Sequence, residues 1–383
     1  MRQIGVGLIG FGTVGAGVVD GLQRNRGKLA ERLGIDIVLK KVADLDITTD
    51  RGITIDKSLL TTNAKDIVGN PEIDIVVELI GGTGFAKSVV KDALSAGQSV
   101  VTANKKLLAE YGSELFPLAE SKGVDLYFGA SVGGGIPIIR PISQCLAANN
   151  IDEICGILNG TTNYILTSMG ETGVDFDEAL TQAQAKGYAE ANPAADIQGH
   201  DTCRKICILA SLSFGHHIYP DKVQTQGIEQ ITSQDIQYAK ENNFAIKLIG
   251  RAKRLDNQTA CVYVAPHMVK NSNVLANVSD VFNGITINGD AIGEVIFYGR
   301  GAGAMPTASA VVADVIDAVK HFHAHKYLSW EKSTGDPVPP NDIATPWYLR
   351  DGNKQTITPT LTDWKPWASE NGFSEAAFAM RVL

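Results

Sequence analysis

The sequence predicts an α/β protein in two parts: a doubly wound parallel sheet, then a separate α+β domain. Three observations carry this. Short apolar runs alternate with helical patterns over the first 150 residues, the rhythm of a parallel sheet covered on both faces. A glycine-rich turn, Gly10 to Gly15, separates the first apolar run from the first long helical pattern. After about Asn150 the strand-like runs become separated by much longer helical stretches, which marks a change of architecture.

Residues 4–9 read as a short buried strand, followed by the glycine turn and a helical pattern to about Arg32. Residues 36–43, 73–79, 99–102 and 124–128 are the next strands, the third of the five entered through Asn70-Pro71. In the second part, residues 151–158, 261–269 and 294–298 are strand-like, and residues 175–186 and 196–212 are helical. Asp175 and Glu178 have the spacing of a capping box. Residues 306–321 form a further helix with Pro306 near its start, where proline is tolerated. That helix is expected to return the chain to the first domain. The expected boundaries are therefore 1–150 with a return segment at about 304–330, then 151–303. The tail, 331–383, is rich in Pro and Trp, and its pattern assigns little.

Composition narrows the function classes. The chain has 383 residues, 44% hydrophobic and 20% charged, with a net charge of −8. No basic stripe interleaves with aromatics, which argues against a nucleic-acid partner. No apolar run reaches the ~18 residues of a membrane span. The start of the chain lacks the pattern of a signal peptide. The five Cys show no framework spacing, and a reducing cytoplasm is the expected setting.

The turn is Gly10-x-Gly12-x-x-Gly15, set between a strand and a long helix. This is a Rossmann-type dinucleotide fingerprint. Gly10 permits the tight turn, Gly12 lets backbone approach a pyrophosphate, and Gly15 lets helix pack on strand. Thr13 and Val14 open the helix, whose free N–H groups favour an anion. Asp44 ends the second strand, further along than the usual ~20 residues, where a carboxylate accepts the ribose hydroxyls of NAD. Lys40 and Lys41 stand nearby and would favour the phosphate of NADP; the balance leans to NAD. Gly81, Gly82 and Thr83 follow the third strand, where a loop would pass under the cofactor. Thr102 and Asn104 are candidates for contacts on the nicotinamide side.

Residues 187–205, "GYAEANPAADIQGHDTCRK", gather acids and a lysine around a proline turn. Asp201 and Lys205 are four apart and share a helix face, with Glu190 and Asp196 in the turn before. Spacing alone equally describes a solvated helix ion pair worth a few tenths of a kcal/mol.

Several stretches together resemble the homoserine dehydrogenase family: "GFGTVG" (10–15), "VVELIGG" (76–82), "VVTANKKLLA" (100–109), "SVGGGIPII" (131–139), "GILNGTTNYIL" (156–166), the 187–205 stretch and "FYGRGAGAMPTASAVVADVIDA" (297–318). They occur in the family's order and span most of residues 4–320. The resemblance implies a dinucleotide-binding domain, a catalytic α+β domain with a dimerisation region, and a homodimer. It implies NAD(P)-linked interconversion of aspartate 4-semialdehyde and homoserine, on the route to threonine and methionine. By the same resemblance Glu190 and Asp201 hold the substrate amino group, Asp196 helps order the site, and Lys205 is the proton shuttle. Lys105 is a second catalytic lysine at the nicotinamide and substrate, while the adjacent Lys106 reads as surface. Gly301, within "YGRGAG", would close over the dinucleotide.

This fits the chemistry. Reducing an aldehyde needs a hydride donor, a proton donor at the carbonyl oxygen and a grip on the rest of the substrate. Lysine suits the second task where its surroundings lower its pKa, and carboxylates bind a substrate ammonium.

The "ASVGGGIP" loop is similar to the family's loop whose carbonyls hold a monovalent cation, here Val132, Gly134 and Ile136. Gly129 stands where the family has a Glu that contributes to that site. The short tail is not expected to hold a complete regulatory ACT domain. His200, Cys203 and Cys207 lack a usual zinc spacing. His216 and His217 read as capping or surface groups, and Cys145 and Cys155 as core rather than nucleophiles. Glu78 reads either as orienting its loop or as solvated surface. Two alternatives remain at this stage: a related amino-acid-linked oxidoreductase of different substrate, and a dinucleotide-sensing protein without catalysis. The set Lys105, Glu190, Asp201 and Lys205 argues against a pure sensor.

Overall fold

The computed structural model describes residues 2–256, 259–322, 324–326, 328, 330–333 and 335–383. The chain forms two compact units. One comprises Met1–Ala147, Gly215–His217 and Ala302–Ser333; the other comprises Ala148–Phe214, Ile218–Gly301 and Thr334–Leu383.

The first unit opens with β1 (Arg2–Ile9), buried from Ile4 onward. Helix α1 (Thr13–Leu33) follows and ends at Gly34 in the left-handed conformation, φ 68°. Then come β2 (Ile35–Ala43), β3 (Leu60–Thr61), β4 (Ile75–Glu78), α2 (Gly84–Ser95), β5 (Ser99–Thr102), α3 (Lys105–Lys122) and β6 (Leu126–Tyr127). The strand order is β3-β2-β1-β4-β5-β6, and each pairing is parallel. The order reverses between β1 and β4, so the crevice beyond their C-terminal ends is where such sheets bind ligands. Ile4, Val6, Leu8, Ile75, Val77 and Val101 meet Val18, Val19 and Leu22 of α1 in one core. Each fully buried side chain of this kind contributes roughly 1.5–3 kcal/mol.

The second unit runs β7 (Ile151–Ile157), α4 (Gly160–Thr172), α5 (Phe176–Ala185), α6 (Ala194–Ile197), α7 (His200–Phe214), β8 (Gln224–Thr225), α8 (Ser233–Glu241), β9 (Phe244–Arg254), β10 (Ala260–Lys270), β11 (Phe282–Gly289) and β12 (Gly293–Arg300). Helix α9 (Ala304–Lys320) belongs to the first unit and packs on α1. The chain ends in β13 (Trp347–Asp351), β14 (Lys354–Ile357), α10 (Lys365–Glu370) and β15 (Phe378–Val382). Nine strands form one mixed sheet, β12-β11-β7-β9-β10-β15-β13-β14, with β8 also on β10.

Several elements differ from the sequence reading. The helical pattern of residues 196–212 is two helices. Gly199, at φ 82°, cannot continue α6, and α7 starts at the next residue. Asp175 caps α5 by accepting from the Glu178 N–H, while the Glu178 carboxylate accepts instead from Gln182. Strand β9 has charges at positions that look solvated. Yet Lys247 is buried and donates to the Val278 carbonyl at 2.6 Å, and Arg251 pairs with Glu153. The tail supplies three strands to the second sheet.

Two side-chain readings are corrected. Cys145 is exposed, not core, whereas Cys155 is buried. His216 and His217 are buried rather than capping or surface groups. The His217 ring bonds the Ala109 carbonyl at 3.0 Å and accepts from the Trp330 indole at 2.9 Å, and burial pushes its pKa down to about 4. Among the described residues no helix is long and apolar enough to cross a membrane.

Candidate active site

The glycine turn lies at the sheet's switch point. Gly10 has φ 104°, a conformation L side chains resist, and its N–H donates to the Ala43 carbonyl at 2.9 Å. Asp44 ties the turn to the end of β2. One of its oxygens accepts from the Phe11 N–H at 2.5 Å, and the other from the Asp46 N–H at 2.9 Å. Gly12 is the N-cap of α1 with ordinary extended backbone, φ −74° and ψ −162°, and without a side-chain cap; the first turn carries no acid. A Cβ at Gly12 would have nothing within 4 Å, whereas one at Gly15 would lie 2.2 Å from the Gly10 carbonyl oxygen. So Gly15 closes the turn from inside, Gly12 leaves its outer side open, and Thr13 and Val14 begin the helix with its free N–H groups. An anionic pyrophosphate fits this cradle.

Beside it, Glu78 is fully buried, which decides its role in favour of orienting the loop. Its carboxylate accepts from the Thr102 hydroxyl at 2.6 Å and from the Ile80 and Gly81 N–H groups at 2.8 and 3.3 Å. Asn104 continues the network. Its N–H donates to the Thr102 hydroxyl at 3.0 Å, its amide donates to the Gly82 carbonyl at 2.7 Å, and its amide oxygen caps α3 at Leu107. The side chains of Thr102 and Asn104 thus hold the β4 and β5 loop ends in place. Lys105 is the half-buried first residue of α3; Lys106 is exposed, 4.0 Å from Glu110.

Gly129 donates its N–H to Asp314 at 2.7 Å. A Cβ there would sit 2.6 Å from the same carboxylate. Asp314 is also held by Arg140 at 2.9 Å; burial raises its pKa to about 6 against the pull of that guanidinium. Gly133 and Gly134 turn the following loop with positive φ, and the Ile136 carbonyl already accepts from the Ile138 N–H at 2.8 Å.

The second unit gathers Asp196, Asp201 and Lys205 around one residue the sequence reading did not single out, Asn159. Lys205 donates to Asp201 at 2.6 Å and to the Leu158 carbonyl at 2.6 Å. Asn159 donates one amide hydrogen to Asp196 at 2.7 Å and the other to Asp201 at 2.9 Å. Its oxygen accepts from the Thr162 N–H at 2.8 Å and caps α4. Exposures of 4% for Asp201, 7% for Lys205 and 5% for Asn159 set this pair apart from a solvated helix bridge. Breaking such a buried pair costs about 3–5 kcal/mol. An asparagine at the end of an apolar strand, a preferred N-cap type just before a helical stretch, was a legible signal. Its reach to two acids depends on how β7 and α6 pack and was not. Glu190 is exposed on the loop before α6, and among the described residues no hydrogen bond joins its carboxylate to this cluster. Gly301 follows β12; a Cβ there would overlap the Asn283 side chain.

A parallel sheet in this order, with an open glycine cradle at its switch point and a second unit carrying a buried lysine–aspartate pair, defines a dinucleotide-dependent α/β oxidoreductase. The chain belongs to the homoserine dehydrogenase family. Residues 137–316 match the family described as homoserine dehydrogenase, and residues 10–129 its NAD-binding domain. The homoserine dehydrogenase of Neisseria gonorrhoeae is 42% identical over 358 residues, 91% of this chain and 82% of that one. That of Synechocystis sp. is 46% identical over 318 residues, 82% and 73% of the two chains. The solved homoserine dehydrogenase from Thiobacillus denitrificans superposes with a TM-score of 0.92 at 34% identity, covering 100% of this chain and 99% of the other. A hyperthermophilic archaeal homoserine dehydrogenase, solved in complex with NADPH, gives 0.72 at 26% identity over 85% of this chain and 100% of its own. The chain is therefore an oxidoreductase that acts on a small-molecule substrate with a nicotinamide dinucleotide.

Proposed function

We propose that the chain catalyses the reversible NAD(P)-dependent reduction of L-aspartate 4-semialdehyde to L-homoserine, with Lys205 as the group that moves the proton. The observation that carries the reading is the buried Lys205–Asp201 pair fastened by Asn159. The dinucleotide supplies or accepts hydride when bound. Gly10, Gly12, Gly15 and the N-terminal N–H groups at Thr13 and Val14 cradle its pyrophosphate, and the loop at Gly81, held by Glu78 and Asn104, flanks it. Lys205 donates a proton to the carbonyl oxygen during reduction and recovers one from the hydroxyl during oxidation. Asp201 holds that ammonium in position and, with Glu190, receives the substrate amino group. Asp196 is ordered through Asn159, and Lys105 is the second lysine at the reacting carbonyl. Gly301 belongs to the segment that closes over the dinucleotide.

Asp44 favours NAD, because its carboxylate stands at the end of β2 and would repel a 2′-phosphate. A cytoplasmic homodimer fits the reading. β12 is an edge strand that exposes Ile296 and Tyr298 on one face, 44% and 57%, and a strand with one open edge and an apolar face is a surface that a second copy can cover. The loop of Val132, Gly134 and Ile136 does not fit a monovalent cation well. Gly129 brings no side-chain oxygen, the Ile136 carbonyl already accepts from Ile138, and the neighbouring carboxylate, Asp314, is paired with Arg140. No step of the mechanism needs such an ion.

The test is homoserine oxidation at alkaline pH, followed by absorbance of the reduced cofactor with NAD and NADP in parallel. Turnover is expected with kcat/KM higher for NAD, and replacing sodium and potassium by tetramethylammonium should change the rate by less than about twofold. Dinucleotide binding without turnover would discard homoserine as substrate. Asn159→Ser separates capping from positioning. Serine keeps the α4 cap, but the donor to Asp196 and Asp201 is lost. Thermal stability should stay near that of the unsubstituted chain, while kcat/KM for homoserine falls about tenfold, the worth of one charge-assisted hydrogen bond. A drop in stability with unchanged kcat/KM would reduce Asn159 to a cap.

A further inference from the structure

The outer edge of β10 is shared by two strands. β8 pairs with Tyr263 and Val264, and β15 with His267 and Met268. Between them lie Ala265 and Pro266, and proline has no N–H to give to a ladder. At this interruption the second unit contains a cavity of about 690 Å³, bounded by Gln224 of β8, Val264 and Ala265 of β10, and Ala379 and Arg381 of β15.

Arg381 is 4% exposed. Its guanidinium lies 4.2 Å from the centre of the Trp347 ring and 5.1 Å from that of Tyr263. Among the described residues its hydrogen bonds go to neutral oxygens only: the Ile343 carbonyl at 3.3 Å and the Asn341 amide at 3.2 Å. Among the described residues no carboxylate lies within ion-pair distance of it. Two other arginines of this unit are treated differently: Arg350, on the same cavity, pairs with Asp235 at 2.7 Å, and Arg251 pairs with Glu153, whereas the half-buried Arg254 also donates to carbonyls, those of Ile151 and Ser213. A buried cation without a counter-ion is costly, and burial, with Arg251 adding like charge, holds the Arg381 pKa below its ordinary value. Two rings flank the guanidinium, and the N–H groups not spent on Ile343 and Asn341 remain to meet a carboxylate.

We propose that this cavity binds a small organic monocarboxylate, seated on Arg381. Charge on the lining sets the valence. With Arg350 neutralised by Asp235, Arg381 and the rim residue Lys365 stand against Glu229 alone, a surplus of one positive charge. The amides of Gln224, Gln226 and Gln230 suit a ligand with a polar body rather than a hydrocarbon chain. The site lies outside the residues assigned to hydride and proton transfer.

The experiment titrates the full chain with glycolate, succinate and inorganic phosphate, followed by tryptophan fluorescence, because Trp347 and Trp364 both line the cavity. Glycolate should give a saturable change and bind more tightly than the two dianions. Arg381→Met should weaken glycolate by at least about tenfold, while Asn159→Ser should leave it unchanged. Ala379→Val keeps the arginine and narrows the space beside it; weakened binding in that folded variant supports the site even if Arg381→Met does not fold. No saturable change up to about 10 mM, tighter binding of phosphate, or a response untouched by both cavity substitutions would overturn the proposal.

Discussion

Lys205→Ala is expected to lower kcat for homoserine oxidation by about 10²–10⁴-fold, the usual worth of a positioned acid–base group, while the dissociation constant for the dinucleotide stays unchanged. Lys205 is in the second unit and the glycine cradle in the first. Alanine also strips Asp201 of its ammonium at 2.6 Å and leaves a buried carboxylate, which costs stability. Lys205→Arg is the informative companion. It keeps a cation beside Asp201 and so preserves folding, but a guanidinium does not release its proton near neutral pH. The arginine variant should therefore be stable, bind cofactor and turn over little. Substantial turnover in it, with a pH profile like that of the unsubstituted chain, would show that another group moves the proton.

The difference between the two units explains how much was legible beforehand. In the first, Val76, Val77, Val100 and Val101 are buried on both faces of the sheet. A strand of that kind reads as an unbroken apolar run, and the glycine fingerprint fixes which turn faces the ligand. In the second, the sheet buries charge. Lys247 and Arg251 interrupt the apolar pattern of β9 because their partners, the Val278 carbonyl and Glu153, come from other elements, and no local pattern announces those partners. The tail held one readable signal. Gly352-Asn353, after Asp351 and before "KQTI", is the two-residue hairpin turn between β13 and β14, and Gly352 has φ 56°. In the site, the four-residue spacing of Asp201 and Lys205 was visible, but whether the pair is solvated or buried was not, since that depends on β7 delivering Leu158 and Asn159. For the same reason Asn159 was passed over.

Gly12→Val and Gly15→Val are expected to abolish tight dinucleotide binding by different physical routes. At Gly15 a Cβ meets the Gly10 carbonyl oxygen at 2.2 Å, and the obstacle is backbone. The turn between β1 and α1 must open, with a loss of roughly 1–3 kcal/mol of stability and of the cradle's shape. At Gly12 the backbone is already one that any L residue adopts, and nothing in the protein stands within 4 Å of the new Cβ. The substituted chain should fold and melt as before. The branched side chain instead fills the space through which the pyrophosphate approaches the N–H groups of α1. Overpacking of about 1–3 kcal/mol then appears only on binding, as a roughly 5- to 150-fold rise in Kd. Calorimetric titration with NAD, alongside thermal unfolding of the free chain, distinguishes the two routes. Unchanged affinity in a well-folded Gly12→Val protein would mean that the open side of the turn does not face the cofactor. The anion would then have to be held elsewhere than at the start of α1.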